Sequence, residues 1–253
     1  MLDFSEKVVL VTGASGGLGS PMARDFARCG ATLVVHDFGL PDATKVLMKE
    51  IGELGAKALL VEGDLTDEAT VTRIADEIKA RFGRLDVLVN NAGAWPDRMP
   101  FADLPADLWD KVININLRSV FLVTQACLPL LERSARGRII NISSTAARNG
   151  GPPAGSAYSA AKGAVSSLTK ALAKDLCSKG IHVNAVAPGM IDTPFYGDVK
   201  VTEKYAERIT RIPAGRVGAP VDVSGPVLFL ASSLANYITG EVIEVSGGLS
   251  LMA

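Results

Sequence analysis

The stretch from Val8 to Gly19 reads VVLVTGASGGLG. Its first four residues are apolar and three of them are β-branched, which is typical of a short strand covered on both faces. The glycines that follow, Gly13, Gly17 and Gly19, are spaced G-x-x-x-G-x-G, and a helical pattern begins near Leu18. Such a turn lets the backbone approach a pyrophosphate at the N-terminus of a helix. We therefore predict a dinucleotide site, although a glycine string can also be a bare turn.

Short apolar runs alternate with helical patterns along the rest of the chain, without a proline-rich linker or a repeat. This alternation requires right-handed crossovers and a parallel sheet with helices on both faces. The sequence predicts one α/β domain over residues 1–253, a Rossmann-like doubly wound parallel sheet of about seven strands. The further predicted strands are Thr32–Val35, Ala58–Val61, Asp86–Val89, Arg138–Ile142, Ile181–Val186 and Glu241–Val245, and the predicted helices are Leu18–Arg28, Asp42–Leu54, Asp67–Phe82, Asp107–Arg133 and Ser156–Ser178.

Composition excludes several classes of protein. The chain has 253 residues, of which 48% are apolar and 21% charged, with a net charge of −1. These values rule out a disordered chain and give no electrostatic attraction toward nucleic acid or an anionic membrane. Three scattered cysteines and two histidines show no metal-ligand spacing, so we expect no metal site and a reducing cytoplasm. The N-terminus lacks a signal-peptide pattern, and Val120–Leu131 is too short to span a bilayer.

Two acidic residues follow predicted strands. Asp37 lies 18 positions beyond Gly19 at the end of the second strand. A carboxylate there accepts hydrogen bonds from ribose hydroxyls and repels a 2′-phosphate, and neither Gly16 nor Phe38 supplies a compensating cation. NAD(H) is therefore favoured over NADP(H), unless Asp37 is only a solvated residue at the strand end. Asp64 follows the third strand and either binds the adenine edge or caps a turn.

Tyr158 and Lys162 are four residues apart and share one face of a predicted helix. A tyrosine phenol has a reference pKa near 10, and a nearby ammonium lowers that pKa because it favours the phenolate. The pair is thus a candidate general acid/base for an alcohol and its ketone. Taken alone, the same spacing is also that of an ordinary surface pair.

Further motifs accompany this pair in a fixed order. Together they resemble the short-chain dehydrogenase/reductase family in its single-domain form, and the resemblance extends over essentially the whole chain to Gly247-Gly248. The motifs are Thr12-Gly13-x-x-x-Gly17-x-Gly19, Asn90-Asn91-Ala92-Gly93, Asn116, Ser144, Tyr158-x-x-x-Lys162 and Pro188-Gly189.

The resemblance implies a role for each motif. Tyr158 would be the acid/base, Lys162 would lower its pKa and bind the nicotinamide ribose, and Ser144 would bind the substrate oxygen. Asn116 would hold a water that links Lys162 to solvent, or it is a polar residue that kinks a helix. Asn90 would instead tie the sheet together. The implied cofactor-binding residues are Gly13, Ser15, Gly17, Leu18, Gly19, Asp37, Asp64, Leu65, Asn91, Ala92, Gly93, Tyr158, Lys162, Pro188, Gly189, Ile191 and Thr193.

The serine assignment departs from the commonest family spacing. Ser144 precedes Tyr158 by 14 positions, one more than is usual, and Arg148–Gly155 is rich in Gly and Pro. Ser143 and Thr145 are neighbouring hydroxyls that could take the same role. We prefer Ser144, the second serine after the strand, and interpret Arg148–Gly155 as a loop at the wall of the substrate pocket.

Three loops are expected to form that pocket by analogy: Ala94–Arg98, Thr145–Gly155 and Met190–Val199, the last leading into a helix near Glu203–Arg208. Arg148 is the only cation that we place nearby, either paired with a substrate carboxylate or solvated. Trp95, Met190, Phe195 and Tyr196 make the expected pocket largely apolar.

The resemblance implies an NAD-dependent oxidoreductase that interconverts a secondary alcohol and a ketone, with Tyr158 as general acid/base. Two alternatives stay open: an NADPH-linked 3-oxoacyl thioester reductase, and a catalytically silent nucleotide-sensing protein on the same fold. The implied assembly is a homotetramer or homodimer that pairs the two long helices and the last strand. The sequence does not name the alcohol or ketone.

Overall fold

Seven parallel strands form one sheet in the computed structural model, which describes residues 2–196 and 205–252. In chain order they are β1 Val8–Val11, β2 Thr32–Asp37, β3 Ala58–Glu62, β4 Val87–Asn90, β5 Gly137–Ile142, β6 Ile181–Pro188 and β7 Val242–Val245. Their order across the sheet is β3-β2-β1-β4-β5-β6-β7. The predicted doubly wound parallel sheet is confirmed.

Helices cover both faces of the sheet. The side chains of β1 alternate between two cores, since Val9 and Val11 pack into one cluster and Val8 and Leu10 into the other. An alternation of this kind within a continuous apolar run is what a strand buried on both faces requires. The helices are α1 Gly19–Arg28, α2 Pro41–Glu53, α3 Glu68–Phe82, α4 Ala106–Ile113, α5 Ser119–Leu131, α6 Ala146–Asn149, α7 Ser156–Leu176, α8 Ala206–Ile209 and α9 Pro220–Ala231.

Local capping sets the bounds of α3. The Asp67 carboxylate accepts a hydrogen bond of 2.9 Å from the Thr70 backbone N–H, which satisfies one of the unpaired donors of the first turn. The helix ends at Gly83, whose φ of 72° is the left-handed conformation of a helix terminus. Asp67, predicted as the first helical residue, is therefore the cap.

The predicted helix over Asp107–Arg133 is wrong in its interior. A π-helical segment over Asn114–Arg118 separates α4 from α5. By length and composition alone Ala106–Leu131 could cross a membrane. Within the fold, α5 packs against α3, β4 and β5 in the manner of a core helix.

Helix α9 was not predicted, because Pro226 interrupts its sequence pattern. Its residues Val223, Val227 and Leu230 are buried in the same core as α1 and α2. The expected helix near Glu203–Arg208 is found only in part, as α8, and Glu203 lies outside the described residues.

The order of the strands reverses between β1 and β4. The crossover from β1 to β2 leads toward one edge of the sheet, and β4 begins the other half. In open parallel sheets a crevice forms at such a point, outside the carboxyl ends of the strands. The chain after β1 and the chain after β4 therefore meet at one site.

Candidate active site

One cavity of about 1000 Å³ opens at the carboxyl ends of the strands. Its wall brings together most of the predicted site residues, although they come from positions between Gly13 and Thr193. The predicted residues that line it are Gly13, Gly17, Leu18, Asp37, Asp64, Leu65, Asn91, Ala92, Gly93, Asn116, Ser144, Tyr158, Lys162, Pro188, Gly189, Ile191 and Thr193.

The glycine-rich loop is anchored on the chain that follows β4. Gly13 has a φ of 59°, and the Asn91 side-chain amide donates to the carbonyl oxygens of Thr12 and Gly13 at 2.8 and 3.0 Å. A Cβ on Gly17 would lie 2.8 Å from the Cβ of Thr193, so the loop and the Thr193 segment are in close contact. Glycine is required at position 17 because any side chain there would collide with Thr193, and the loop therefore presents its backbone to the cavity.

Two of the predicted cofactor residues do not line this cavity. The hydroxyl of Ser15 is buried against Thr44 and forms a hydrogen bond with its hydroxyl. Gly19 lies behind the loop, where a Cβ would come 2.2 Å from the Gly13 carbonyl oxygen. Both residues therefore support the loop, and the structure places neither at the cavity surface.

The acidic residues occupy the far end of the cavity. Asp37 is buried at the end of β2, and its Oδ2 accepts a hydrogen bond of 3.1 Å from the Leu40 backbone N–H. Asp64 Oδ1 accepts from the backbone and the hydroxyl of Thr66, each at 2.8 Å. Asp64 thus caps the turn, which is one of the two roles predicted for it, and it also lines the cavity.

Tyr158 and Lys162 lie on one face of α7 and both reach the cavity. The Lys162 Nζ lies 5.7 Å from the centroid of the Tyr158 ring. The ammonium is only 3% exposed and donates a 2.8 Å hydrogen bond to the Ile142 carbonyl oxygen. Burial lowers the pKa of Lys162 to about 8, since the interior disfavours the charged form.

Asn116 lies in the π-helical segment and is fully buried. Its side-chain amide donates to the carbonyl oxygens of Ala94 at 2.7 Å and Val112 at 2.9 Å. Its Oδ1 has no hydrogen-bond partner among the described residues. A Cβ on Gly93 would lie 2.9 Å from that Oδ1 and 3.3 Å from the Lys162 Nζ. The absence of a side chain at Gly93 thus leaves space between these two polar groups.

The neighbouring serines face different surroundings. The Ser143 hydroxyl is buried against α7, where it contacts the Lys162 carbonyl oxygen at 3.0 Å and the Ser166 hydroxyl at 2.7 Å. The Ser144 oxygen accepts a hydrogen bond of 3.1 Å from the Ala146 backbone N–H. That bond uses only an acceptor site of Ser144, so its hydroxyl hydrogen can donate into the cavity.

Aromatic rings form the wall beside Tyr158. The Trp95 ring stacks on the Tyr158 ring with centroids 5.2 Å apart and an interplanar angle of 3°. The Phe195 ring lies 5.6 Å from the same tyrosine ring. Gly155 permits this approach, since a Cβ there would lie 2.8 Å from the Trp95 Cη2. Residues 197–199 of the third predicted loop lie outside the described residues, as does the Tyr196 side chain.

Of the two possibilities for Arg148, the structure favours the exposed arginine over a substrate contact. Arg148 does not line the cavity and pairs with Glu244 at 3.3 Å. Arg98 lies over the Trp95 ring at 4.4 Å and donates to the Tyr205 hydroxyl at 2.7 Å. Arg208 also lines the cavity. Both arginines belong to segments predicted to form the pocket, but no sequence pattern indicates which side chains of these segments face the cavity.

Within residues 2–196 and 205–252 no group of three His, Cys, Asp or Glu side chains is arranged to hold a metal ion.

Comparison with known proteins identifies the family. The family model described as enoyl-(acyl carrier protein) reductase matches residues 13–250. A solved short-chain dehydrogenase/reductase of the glucose/ribitol dehydrogenase type from Brucella melitensis superimposes with a TM-score of 0.89, at 31% identity, over 98% of each chain. The chain belongs to the short-chain dehydrogenase/reductase family.

Two further proteins are similar to this short-chain dehydrogenase/reductase. A protein from Thermotoga maritima named 3-oxoacyl-[acyl-carrier-protein] reductase FabG is 40% identical over 244 residues, which are 96% of this chain and 97% of that protein. A structure of 7α-hydroxysteroid dehydrogenase with NADH and 7-oxoglycochenodeoxycholic acid has a TM-score of 0.91 at 34% identity, over 97% of this chain and 95% of that one. The family membership establishes an oxidoreductase of CH–OH and keto groups, without fixing the substrate.

Proposed function

We propose that this short-chain dehydrogenase/reductase interconverts a secondary alcohol and a ketone with NAD(H), and that Tyr158 transfers the hydroxyl proton. The observation that carries the proposal is that Tyr158 and Lys162 line the same cavity as the glycine-rich loop. A proton donor and acceptor beside a dinucleotide site is the arrangement that alcohol oxidation needs.

The residues present fit a dinucleotide. Gly13, Gly16 and Gly17 line the cavity with backbone alone, and α1 begins just beyond them at Gly19. The N-terminus of this helix would stabilise the pyrophosphate, while Pro188, Gly189, Ile191 and Thr193 would bind the nicotinamide end. Bound nicotinamide supplies the hydride acceptor or donor, and the protein supplies orientation and proton transfer.

Asp37 supports NAD(H) over NADP(H). Its buried carboxylate lines the cavity beside Gly16 and Phe38, neither of which is a cation. A 2′-phosphate at this position would face a negative charge in a partly buried environment, where repulsion is strong. The hydroxysteroid dehydrogenase similar to this chain was solved with NADH.

The proton path that we propose begins at Tyr158. During oxidation the phenolate would take the proton of the alcohol, and Ser144 would donate a hydrogen bond to the substrate oxygen. The ammonium of Lys162 would stabilise the phenolate through its charge. A water in the space that Gly93 leaves beside Asn116 Oδ1 would connect Lys162 to solvent, which gives the orphaned Oδ1 a partner.

A second candidate is an NADPH-linked 3-oxoacyl thioester reductase. It is favoured by the name of the Thermotoga maritima relative at 40% identity. Its chemistry at the carbonyl carbon is the same, so Tyr158, Lys162 and Ser144 serve either substrate. Asp37 argues against the phosphorylated cofactor. The third candidate, a silent nucleotide-sensing protein, has no use for the complete set of Asn116, Ser144, Tyr158 and Lys162.

The experiment that tests the proposal is a panel of secondary alcohols with NAD⁺ and NADP⁺, and of ketones with NADH and NADPH, including a 3-oxoacyl thioester. We expect turnover of alcohols or ketones with the unphosphorylated cofactors. Turnover confined to the thioester with NADPH would establish the second candidate instead. Nucleotide binding without turnover on any member of the panel would favour the silent protein.

We also propose a cytoplasmic homotetramer or homodimer. All three cysteines are free, which suits a reducing compartment. Phe121 lies on α5, within one of the helices expected to pair, and its ring is exposed on the single chain. Leu234 and Tyr237, in the segment between α9 and β7, are also large exposed side chains. Equilibrium sedimentation tests the assembly, and a monomer at micromolar concentration would contradict it.

A further inference from the structure

His36 is buried at the end of β2, next to Asp37, and only 2% of its surface is exposed. Its Nδ1 lies 3.0 Å from the Gly13 backbone nitrogen, and its Nε2 lies 2.9 Å from the Gly63 carbonyl oxygen. A backbone N–H can only donate, so Nδ1 must be the unprotonated nitrogen. Nε2 then carries the hydrogen and donates to Gly63, which defines one neutral tautomer.

These two hydrogen bonds join the loop after β1 to the loop after β3, across the end of β2 between them. Gly13 opens the glycine-rich loop, and Gly63 directly precedes Asp64 and Leu65; Gly13, Asp64 and Leu65 all line the cavity. The backbone of His36 adds a third link, since its carbonyl oxygen accepts from the Ala14 N–H at 2.9 Å. The imidazole therefore connects the two loops through a single side chain.

We propose that His36 is a positioning residue for the dinucleotide site and that the site binds its ligand only while the imidazole is neutral. Protonation would place an N–H of the imidazolium against the N–H of Gly13, and two donors repel each other. The glycine-rich loop would lose the hydrogen bond that holds the Gly13 N–H and would keep those from Asn91 to the Thr12 and Gly13 carbonyl oxygens. The inference rests on the proposed function only in taking NAD(H) as the ligand.

The charges around His36 set the direction of the pH dependence. Burial lowers the pKa of His36, and this effect outweighs the carboxylates of Asp37 and Asp64, which act in the opposite sense. Arg73 lies beyond Gly63, where its guanidinium donates to the Glu62 carbonyl oxygen. His36 is therefore neutral at pH 7, and because its pKa is lowered it takes up a proton only at a pH below the ordinary value of 6.5. Nucleotide affinity should fall with acidification.

Calorimetric titration with NAD⁺, from about pH 8 down to about one pH unit below the His36 pKa that proton NMR gives, tests this inference. One proton that must leave before binding makes the affinity fall by up to about tenfold per pH unit below the pKa of His36. In His36→Asn the amide oxygen can replace Nδ1 as the acceptor for Gly13 without titrating. We expect this variant to bind NAD⁺ with an affinity that changes less than about twofold over the range.

Two variants serve as controls. His36→Gln offers its amide at the Nε2 position and leaves Gly13 without an acceptor, so it should bind NAD⁺ weakly at every pH. His182→Asn removes the only other histidine of the chain, on β6, and should keep the pH dependence of the unmodified protein. A flat profile in the unmodified protein, or an equal fall in His36→Asn, would overturn the inference.

Proton NMR of the unmodified protein gives a second test that does not depend on a variant folding. Because the chain has two histidines, the two imidazole signals can be followed separately. If binding requires neutral His36, saturation with NAD⁺ must lower its pKa further while that of His182 stays constant. An unchanged His36 pKa would overturn the inference. A protein that binds no NAD⁺ at any pH would instead refute the proposed function.

Discussion

The buried ammonium of Lys162 is the residue on which the proposed proton path depends most. It is held between the Ile142 carbonyl oxygen and the space beside Asn116, with the Tyr158 ring 5.7 Å away. A cation in this position is disfavoured by burial, as its lowered pKa shows. The fold would be more stable with an apolar side chain there, so the charge is retained at a cost to stability.

The first prediction concerns Lys162→Met. Turnover should be lost, while the free energy of unfolding at pH 7 is unchanged or raised. The native pKa of about 8 lies below the ordinary lysine value of 10.5, so the unfolded chain binds the proton more strongly between these pH values. The free energy of unfolding of the unmodified protein therefore rises with pH over this window. The difference in unfolding free energy between Lys162→Met and the unmodified protein becomes smaller.

Urea unfolding at pH 7 and pH 9.5, with kinetics in parallel, measures both effects. Lys170→Met is the matched control, since Lys170 is an exposed lysine on the same helix. It should leave turnover and the pH dependence of stability unchanged. A variant at Lys162 that keeps turnover would remove this residue from the proton path.

The second prediction concerns the cofactor preference. In Asp37→Ser the repulsion of a 2′-phosphate disappears, so the ratio of NADPH to NADH affinity should rise by about tenfold or more. Fluorescence titration with both cofactors measures the ratio. Asp42→Ser, at an exposed position in the first turn of α2, should leave it unchanged. Equal affinities for the two cofactors in the unmodified protein would contradict the role of Asp37.

The third prediction concerns the aromatic wall. Trp95→Ala removes the ring that stacks on Tyr158 and should lower kcat/KM by about tenfold, because burial and stacking of an aromatic side chain contribute on the order of 1–3 kcal/mol. The NADH affinity should stay constant, since Trp95 lies at the substrate end. Phe101→Ala, at an exposed ring outside the cavity, is the control for both constants. A parallel loss of NADH affinity would show that Trp95 acts on the fold.

At the scale of elements, polar side chains fix the register of the sheet around the site. Asn90 of β4 donates to Asn141 of β5 at 2.9 Å and to Thr124 of α5 at 3.0 Å, and Asn141 donates to Thr169 of α7. This buried chain confirms the prediction that Asn90 ties the sheet together. The hydrogen bond between Asn90 and Asn141 holds the end of β4 beside the end of β5. Asn91, which follows β4, contacts the glycine-rich loop, and Ser144, which follows β5, lines the cavity.

The fourth prediction concerns the packing of the glycine-rich loop on α1. In Gly19→Ala the new Cβ would come 2.2 Å from the Gly13 carbonyl oxygen, so the loop must shift. We expect a loss of about 2–3 kcal/mol in the free energy of unfolding together with loss of NADH binding. Gly52→Ala is the matched control, because nothing lies within 4 Å of its Cβ position in α2. It should raise stability by about 1 kcal/mol.

Thermal and urea unfolding of both variants check this prediction. Normal NADH binding in Gly19→Ala would show that the loop tolerates the shift and that its packing is not what holds the nucleotide site.

Local residue patterns predicted the elements whose secondary structure depends mainly on their own sequence. The strands were recognised because each is a short, largely apolar run. The central strands β1, β4 and β5 are fully buried, whereas the edge strands β3 and β7 are only partly buried. Helix α9 was missed because Pro226 interrupts its pattern, and it is helical through its packing with α1. The π-helical segment was missed because no spacing distinguishes it from an α-helix. Arg148 was considered because it lies in the expected pocket loop Thr145–Gly155, and only the folded chain shows that Arg98 and Arg208 line the cavity instead.

At the scale of the whole molecule, the sheet carries distant segments to one place. The order β3-β2-β1-β4-β5-β6-β7 puts the ends of β1 and β4 at its centre, and β5 and β6 beside them. The glycine-rich loop, the Tyr158–Lys162 pair and the Pro188–Thr193 segment thereby face a single cavity. We propose that an alcohol is oxidised or a ketone reduced in this cavity, with the phenol of Tyr158 transferring the proton.

The turnover number of Tyr158→Phe tests that claim most directly, on the best substrate of the panel and with the NADH affinity as an internal check. Phenylalanine keeps the ring against Trp95 and removes only the hydroxyl. The account predicts a loss of about 10²–10⁴-fold in kcat with NADH affinity nearly unchanged. A kcat within a few-fold of the unmodified protein would contradict it.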